Sequence, residues 1–119
     1  MKLGCCLNML GDKNDAVGRR YIGTLKEAGY DYMELPLAQI MELSETSFSE
    51  LAEEAEKTGL FCECCNNFFP ASVRLTGETV DPAKVQEYVK RAIDRAVKLG
   101  SRVIVFGSSG AKNVPEGFP

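Results

Sequence analysis

Three times along this chain an amphipathic helical stretch ends at glycine, and two residues later a short run rich in β-formers begins. The instances are Lys26-Glu27-Ala28-Gly29 before Asp31-Tyr32-Met33-Glu34-Leu35, Glu56-Lys57-Thr58-Gly59 before Phe61-Cys62-Glu63-Cys64-Cys65, and Val97-Lys98-Leu99-Gly100 before Arg102-Val103-Ile104-Val105-Phe106. Glycine suits the position after a helix because it takes the left-handed conformation without a Cβ penalty. With Leu3-Gly4-Cys5-Cys6-Leu7 as a first strand, the order is β-α-β-α-β-α-β. Such alternation favours parallel strands joined by right-handed crossovers, so the expected class is α/β, in one domain over residues 1–119.

Each helical stretch carries one apolar face. Val17, Tyr21, Leu25 and Ala28 form it in the first, and Phe48, Leu51, Ala52 and Ala55 in the second. Ser47-Phe48-Ser49-Glu50 has the spacing of a capping box at the start of the second helix. In the third, Asp81 is placed to cap and Pro82 fits the first turn, ahead of a stripe of Val85, Tyr88, Val89, Ala92, Ile93 and Ala96. Glu87 with Arg91 and Asp94 with Lys98 stand at the i,i+4 spacing of ion pairs.

Composition narrows the function classes. A net charge of −3 with no long Lys/Arg run argues against a nucleic-acid surface, which needs clustered cations. No stretch approaches the roughly 20 apolar residues that span a bilayer, and Met1-Lys2-Leu3-Gly4-Cys5 lacks the apolar core of a signal peptide, so the expected location is the cytoplasm. Cys5, Cys6, Cys62, Cys64 and Cys65 are odd in number and crowded into two apolar runs, a poor plan for disulfides. Reduced, strand-packed cysteines fit better than a zinc knuckle, which spaces its ligands on turns. The chain contains no His, which removes the hydrolytic triads that depend on it as general base.

Two architectures fit the element order: an open doubly wound sheet, or part of a closed (β/α)8 barrel. The first turn after a strand, Asn8-Met9-Leu10-Gly11-Asp12, lacks the G-x-G-x-x-G fingerprint of dinucleotide-binding sheets. In both architectures function gathers at the carboxyl ends of the strands. The candidates there are Cys6 and Asn8, Glu34 and Pro36, Asn66 and Asn67, and Gly107-Ser108-Ser109-Gly110 with Lys112. If Met33 and Leu35 pack under helices, Glu34 points the other way, either to bind hydroxyls or orient a base, or as a hydrogen-bonded carboxylate at a strand end. Asn66-Asn67 suits a polyol contact or, more simply, a turn. The Gly/Ser loop suits an anion or a plain strand-to-helix connection. Glu63, mid-strand, has an adequate structural account as the partner of a base such as Arg102.

The run Arg102-Val103-Ile104-Val105-Phe106-Gly107-Ser108-Ser109-Gly110-Ala111-Lys112-Asn113-Val114-Pro115-Glu116-Gly117-Phe118 resembles the xylose isomerase-like family of sugar (phosphate) isomerases and epimerases. Lys2 to Cys6, the Gly-Tyr-Asp-Tyr-Met-Glu-Leu stretch around Glu34 and the strand ending at Asn66 look like that family's first three strands. The resemblance implies half of a TIM barrel, whose full form has about 250 residues. It also implies a sugar or sugar-acid substrate and a divalent metal, Mn, Mg, Co or Zn, held by two Glu, an Asp and a His beyond the fourth strand. No cofactor is then expected on this chain, and Cys6, Asn8, Glu34, Asn66, Ser108 and Lys112 carry over as substrate contacts. Lys112 stands where relatives often have Arg, which weakens a phosphate preference. The family's endonuclease branch uses histidines that this sequence lacks.

The resulting expectation is an N-terminal half-barrel of a sugar isomerase or epimerase, inactive alone. The finish at Gly117-Phe118-Pro119, with no closing helix, reads as truncation. Open sheet edges would associate two halves as a homo-oligomer. The alternative is a small autonomous α/β binding or interaction domain without catalysis.

Overall fold

The computed structural model describes residues 1–119. Strands β1 (Gly4–Cys6), β2 (Tyr32–Pro36), β3 (Phe61–Asn66) and β4 (Val103–Ile104) pair in that order, all parallel. Helices α1 (Ile22–Glu27), α2 (Leu37–Glu42), α3 (Glu45–Thr58), α4 (Pro82–Lys98) and α5 (Ser109–Lys112) lie between and after them. A doubly wound sheet reverses its strand order at a switch point. Here every strand neighbours its successor, as around the wall of a (β/α)8 barrel. The chain is α/β, four consecutive strands of such a wall, with β1 and β4 each paired on one side only.

One face of the sheet is buried. Met33, Leu35, Cys62 and Cys65 have no exposed surface and pack with Ile22, Leu37, Ile40, Leu51 and Leu60. Cys62 and Cys65 are three apart, which simple alternation would place on opposite faces. The register explains this: Met33 faces Cys62 but Glu34 faces Cys64, so Glu63 is the extra residue of a β-bulge. Glu63 turns to Lys2, 2.7 Å away, and only its backbone oxygen meets the Arg102 amide, so the expected Glu63–Arg102 ion pair does not form.

The helix punctuation follows the glycines. At Gly59, φ is 68°, and its N–H donates to Ala55 O at 3.1 Å and Glu56 O at 3.2 Å. Gly29 and Gly100 share the left-handed conformation. Asp81 caps α4 by accepting from the amides of Ala83 and Lys84 at 3.1 Å, with Pro82 next, as expected. Gly4 answers a different need, because a Cβ there would lie 2.2 Å from the Tyr32 ring.

Several details depart from the sequence expectations. The cap of α3 is Ser44, whose Oγ accepts from the Ser47 amide at 3.1 Å, so Ser47 already lies inside the helix and the Ser47–Glu50 box is not formed. The first helix is shorter than its apolar spacing suggests. Asp15 accepts from the amides of Gly18, Arg19 and Arg20 and starts a 3-10 turn at Arg19–Tyr21, and Ile22 replaces the exposed Ala28 on the buried face. Neither Glu87–Arg91 nor Asp94–Lys98 closes to an ion pair; Glu53–Lys57, at 3.8 Å, is the i,i+4 pair that does. On α4 the buried line runs through Tyr88, Ala92, Arg95 and Ala96, leaving Ile93 43% and Val97 66% exposed.

Arg95 is the unexpected core residue, 6% exposed. Its guanidinium donates to Ile40 O, Leu43 O (2.9 Å) and Glu45 Oε1 (2.7 Å), and lies 4.7 Å over the Phe48 ring. It thereby satisfies carbonyls at the end of α2 and ties α2, the start of α3 and α4 together. Arg95→Ala leaves Ile40 O with only the Leu43 amide and Leu43 O without the guanidinium, and opens a cavity, so we expect a loss of about 3 kcal/mol in urea unfolding at unchanged m-value. Glu45→Gln, at an exposed carboxylate, should cost much less, and equal losses for the two variants would refute this assignment.

Candidate functional site

Because Met33, Leu35 and Cys65 are taken into the core, the alternate positions face the opposite side of the sheet. Register aligns Cys6, Glu34 and Cys64 in one row across β1, β2 and β3, with Asn66 one step nearer the carboxyl edge. Asn66 Nδ2 donates to Glu34 Oε1 at 2.6 Å and to Cys6 Sγ at 2.9 Å. Cys6 Sγ in turn donates to Asn8 Oδ1. The structure therefore gathers four of the residues singled out from sequence, Cys6, Asn8, Glu34 and Asn66, into one hydrogen-bonded cluster. Cys64 stands in the same row by register, its Sγ donating to Cys65 O, and was missed because the cysteines of that run were read together as strand-packed small hydrophobes.

The electrostatics of the cluster centre on one carboxylate. Burial, and then the Glu34 charge, push the Cys64 thiol up to about 11. The same two causes, in the same order, raise Cys6. Both thiols are thus held protonated and serve as neutral polar groups. On the buried face the Cys62 and Cys65 sulfurs are 3.8 Å apart with no disulfide, and the hydrogen bond between them together with burial drives the Cys62 thiol upward.

The remaining candidates lie elsewhere. Pro36 ends β2 in the core. Asn67 takes φ 49°, its carbonyl accepts from Ala38 N at 2.9 Å and its Nδ2 donates to Gln39 Oε1 at 3.0 Å, which is the turn role. Ser108 is 4% exposed and its Oγ accepts from the Phe69 amide at 2.7 Å. Lys112 folds back on its own loop, donating to Phe106 O at 3.1 Å with its ammonium 5.0 Å from the Phe106 ring. The Gly/Ser run winds into α5, where the amides of Ala111 and Lys112 bond back to Ser108 O. No hydrogen bond links Ser108 or Lys112 to the Glu34 cluster. A separate groove of about 310 Å³ is lined by Lys13, Asp15, Gln39, Glu42 and Ser47 among others.

No three Cys, Asp or Glu side chains converge as metal ligands would, so the residues of this chain do not fit a divalent-metal site. No helix is long and apolar enough to cross a membrane.

A family model described as xylose isomerase-like TIM barrel matches residues 22–118. No curated protein matches the chain. Among solved structures, the crystal structure of D-psicose 3-epimerase in the presence of D-fructose superposes with a TM-score of 0.76 at 18% identity. That match covers 100% of this chain and 41% of the epimerase chain, so the residues here span less than half of that protein.

Glu34→Gln removes the charge but not the burial acting on Cys64. The midpoint for alkylation of Cys64 by iodoacetamide, followed by peptide mass spectrometry against pH, should therefore fall from about 11 while staying above the ordinary thiol value of roughly 8.5. An unchanged or raised midpoint would contradict the electrostatic account.

Proposed function

The chain belongs to the xylose isomerase-like TIM barrel family, and we propose that residues 1–119 form one half-barrel unit of a sugar isomerase or epimerase. The observation that carries this reading is the Cys6–Asn8–Glu34–Asn66 cluster, gathered at the carboxyl edge of the strands, where enzymes of this architecture work. Isomerisation and epimerisation move a proton next to a carbonyl, so the sugar must be held in one orientation while a base acts. In this reading the cluster holds the sugar through its hydroxyls, and Ser108 and Lys112 order the neighbouring loop. The divalent metal, Mn, Mg, Co or Zn, and the proton-transferring carboxylates sit on later strands. The 119-residue chain alone is then inactive, and its place of work is the cytoplasm. A ketose is the preferred substrate class, in keeping with the epimerase of similar fold and the D-fructose present with it.

The unpaired sides of β1 and β4 support a second part of the proposal, that two copies associate edge to edge as a barrel-like dimer. Val103 and Val105, 56% and 47% exposed, line the β4 side. The net charge of −3 fits a partner list without nucleic acid.

Two measurements test these statements. In a complete barrel that carries residues 1–119, Glu34→Gln and Asn66→Ala should each lower kcat/KM for the ketose about tenfold, the worth of one charge-assisted hydrogen bond. Residues 1–119 alone should yield no epimerised sugar by chromatography. Unchanged kcat/KM in both variants would remove the cluster from the substrate site. In sedimentation velocity the chain should show a concentration-dependent dimer that Val105→Lys abolishes, and a wild-type monomer at all concentrations would end the association proposal.

A further inference from the structure

Two segments leave the carboxyl edge side by side, residues 67–80 after β3 and residues 105–119 after β4, and a seam of hydrogen bonds joins them. Nearest the strands, the Phe69 amide donates to Ser108 Oγ at 2.7 Å. Further out, the Leu75 amide donates to Ala111 O at 2.9 Å and the Thr76 hydroxyl to Asn113 O at 2.7 Å. The half-buried Arg74 completes the seam. One of its terminal nitrogens donates to Gly110 O, and the other to Asn113 O and to Thr76 Oγ1 at 3.3 Å. The two segments also fit closely: a Cβ on Gly77 would lie 2.7 Å from Pro115 Cγ, and one on Gly110 would lie 3.1 Å from Ala71 Cβ.

The seam supplies what the sequence of α5 lacks. A helix of four residues does not hold itself, since isolated helices are marginal even at roughly 12–15 residues. The carbonyls left without helical partners at its end are taken by Arg74, Leu75 and Thr76 from the other segment. A guanidinium suits this task because its planar fork reaches two acceptors at a fixed angle, whereas a lysine ammonium would serve as a point charge. The first segment departs directly from Asn66, so the seam also fixes how β3 leaves the Cys6–Glu34–Asn66 cluster.

We propose that Arg74 is a positioning residue: it clamps the segment after β3 onto the segment after β4, so that one wall of the mouth is assembled before anything binds there. That the wall serves a sugar rests on the enzymatic reading; that Arg74 builds it does not. Without the guanidinium the two segments separate, and a ligand has to order them on arrival, a cost that appears as weaker binding. The chemical step, which follows binding, is unaffected.

Backbone amide exchange in the 119-residue chain tests the clamp. Arg74→Ala should speed exchange at Leu75, Lys112 and Asn113 about tenfold and leave the β2 amides unchanged, because the opening is local. Arg74→Lys should restore only part of the protection. Thr76→Val, a milder break of the same seam, should speed Asn113 about threefold and decides the matter if Arg74→Ala does not fold. No change in either variant, or an equal rise that includes β2, would overturn the proposal. In a complete barrel carrying residues 1–119, Arg74→Ala should raise KM for the ketose about fivefold at unchanged kcat. A merely structural residue would instead lower the active fraction, reducing kcat at unchanged KM, and that result would also overturn the positioning role. The two readings fail separately. Local exchange as expected, in a barrel that turns over no sugar, keeps the clamp and loses the enzyme, whereas an active barrel with unaltered exchange and KM loses the clamp alone.

Discussion

The arrangement of the mouth depends on one constraint: a strand cannot bury two adjacent side chains on the same face. Met33 and Leu35 are drawn under the helices by hydrophobic burial, and Glu34 between them must project from the opposite face. Parallel register then carries the same choice sideways, setting Cys6 and Cys64 beside it. The bulge at Glu63 is what lets β3 bury Cys62 and Cys65 and still offer Cys64 and Asn66 to that row. Were the ladder to run unbroken through Glu63, the strand would have to give up either its core contact at Cys62 or its place at the mouth.

Much of the fold was legible because it is written in local chemistry. The three glycines and the Asp81-Pro82 helix start each act within a few residues, and local rules read them correctly. What escaped is set by distant partners. The short helix α2 has no cap signal of its own and is fixed by burial of Leu37 and Ile40 and by Arg95 reaching from α4. Ser44 won the cap over Ser47 because the chain leaves α2 in an extended conformation at Leu43, one residue ahead of it. Ile93 belongs to the apolar periodicity of α4, yet the neighbours in this chain do not reach it.

The site was legible in the same uneven way. Strand ends could be located from the repeat, and that alone brought Cys6, Asn8, Glu34 and Asn66 into consideration. Their mutual hydrogen bonds require the register between strands that lie as many as 60 residues apart in sequence, which no local pattern encodes. Ser108 and Lys112 show the converse. Their residue types suit an anion, and tertiary contacts also tie each of them to the fold, Ser108 Oγ accepting from the Phe69 amide and Lys112 donating one of its three N–H groups to Phe106 O. At 18% identity to an epimerase of the same fold, likeness speaks for the scaffold alone.

The apolar surface left bare along Ile93, Val97, Val103 and Val105 has a consequence for how such a barrel is made. Ribosomes deliver the amino-terminal strands first, at about 5–20 residues per second, and a cylinder of this kind cannot close until its last strand arrives. For several seconds of synthesis the unfinished wall therefore shows water a sticky flank and a free strand edge. A nascent barrel in this state is a natural client for chaperones, and its crowding with sister chains on one message is a hazard a closed barrel no longer carries.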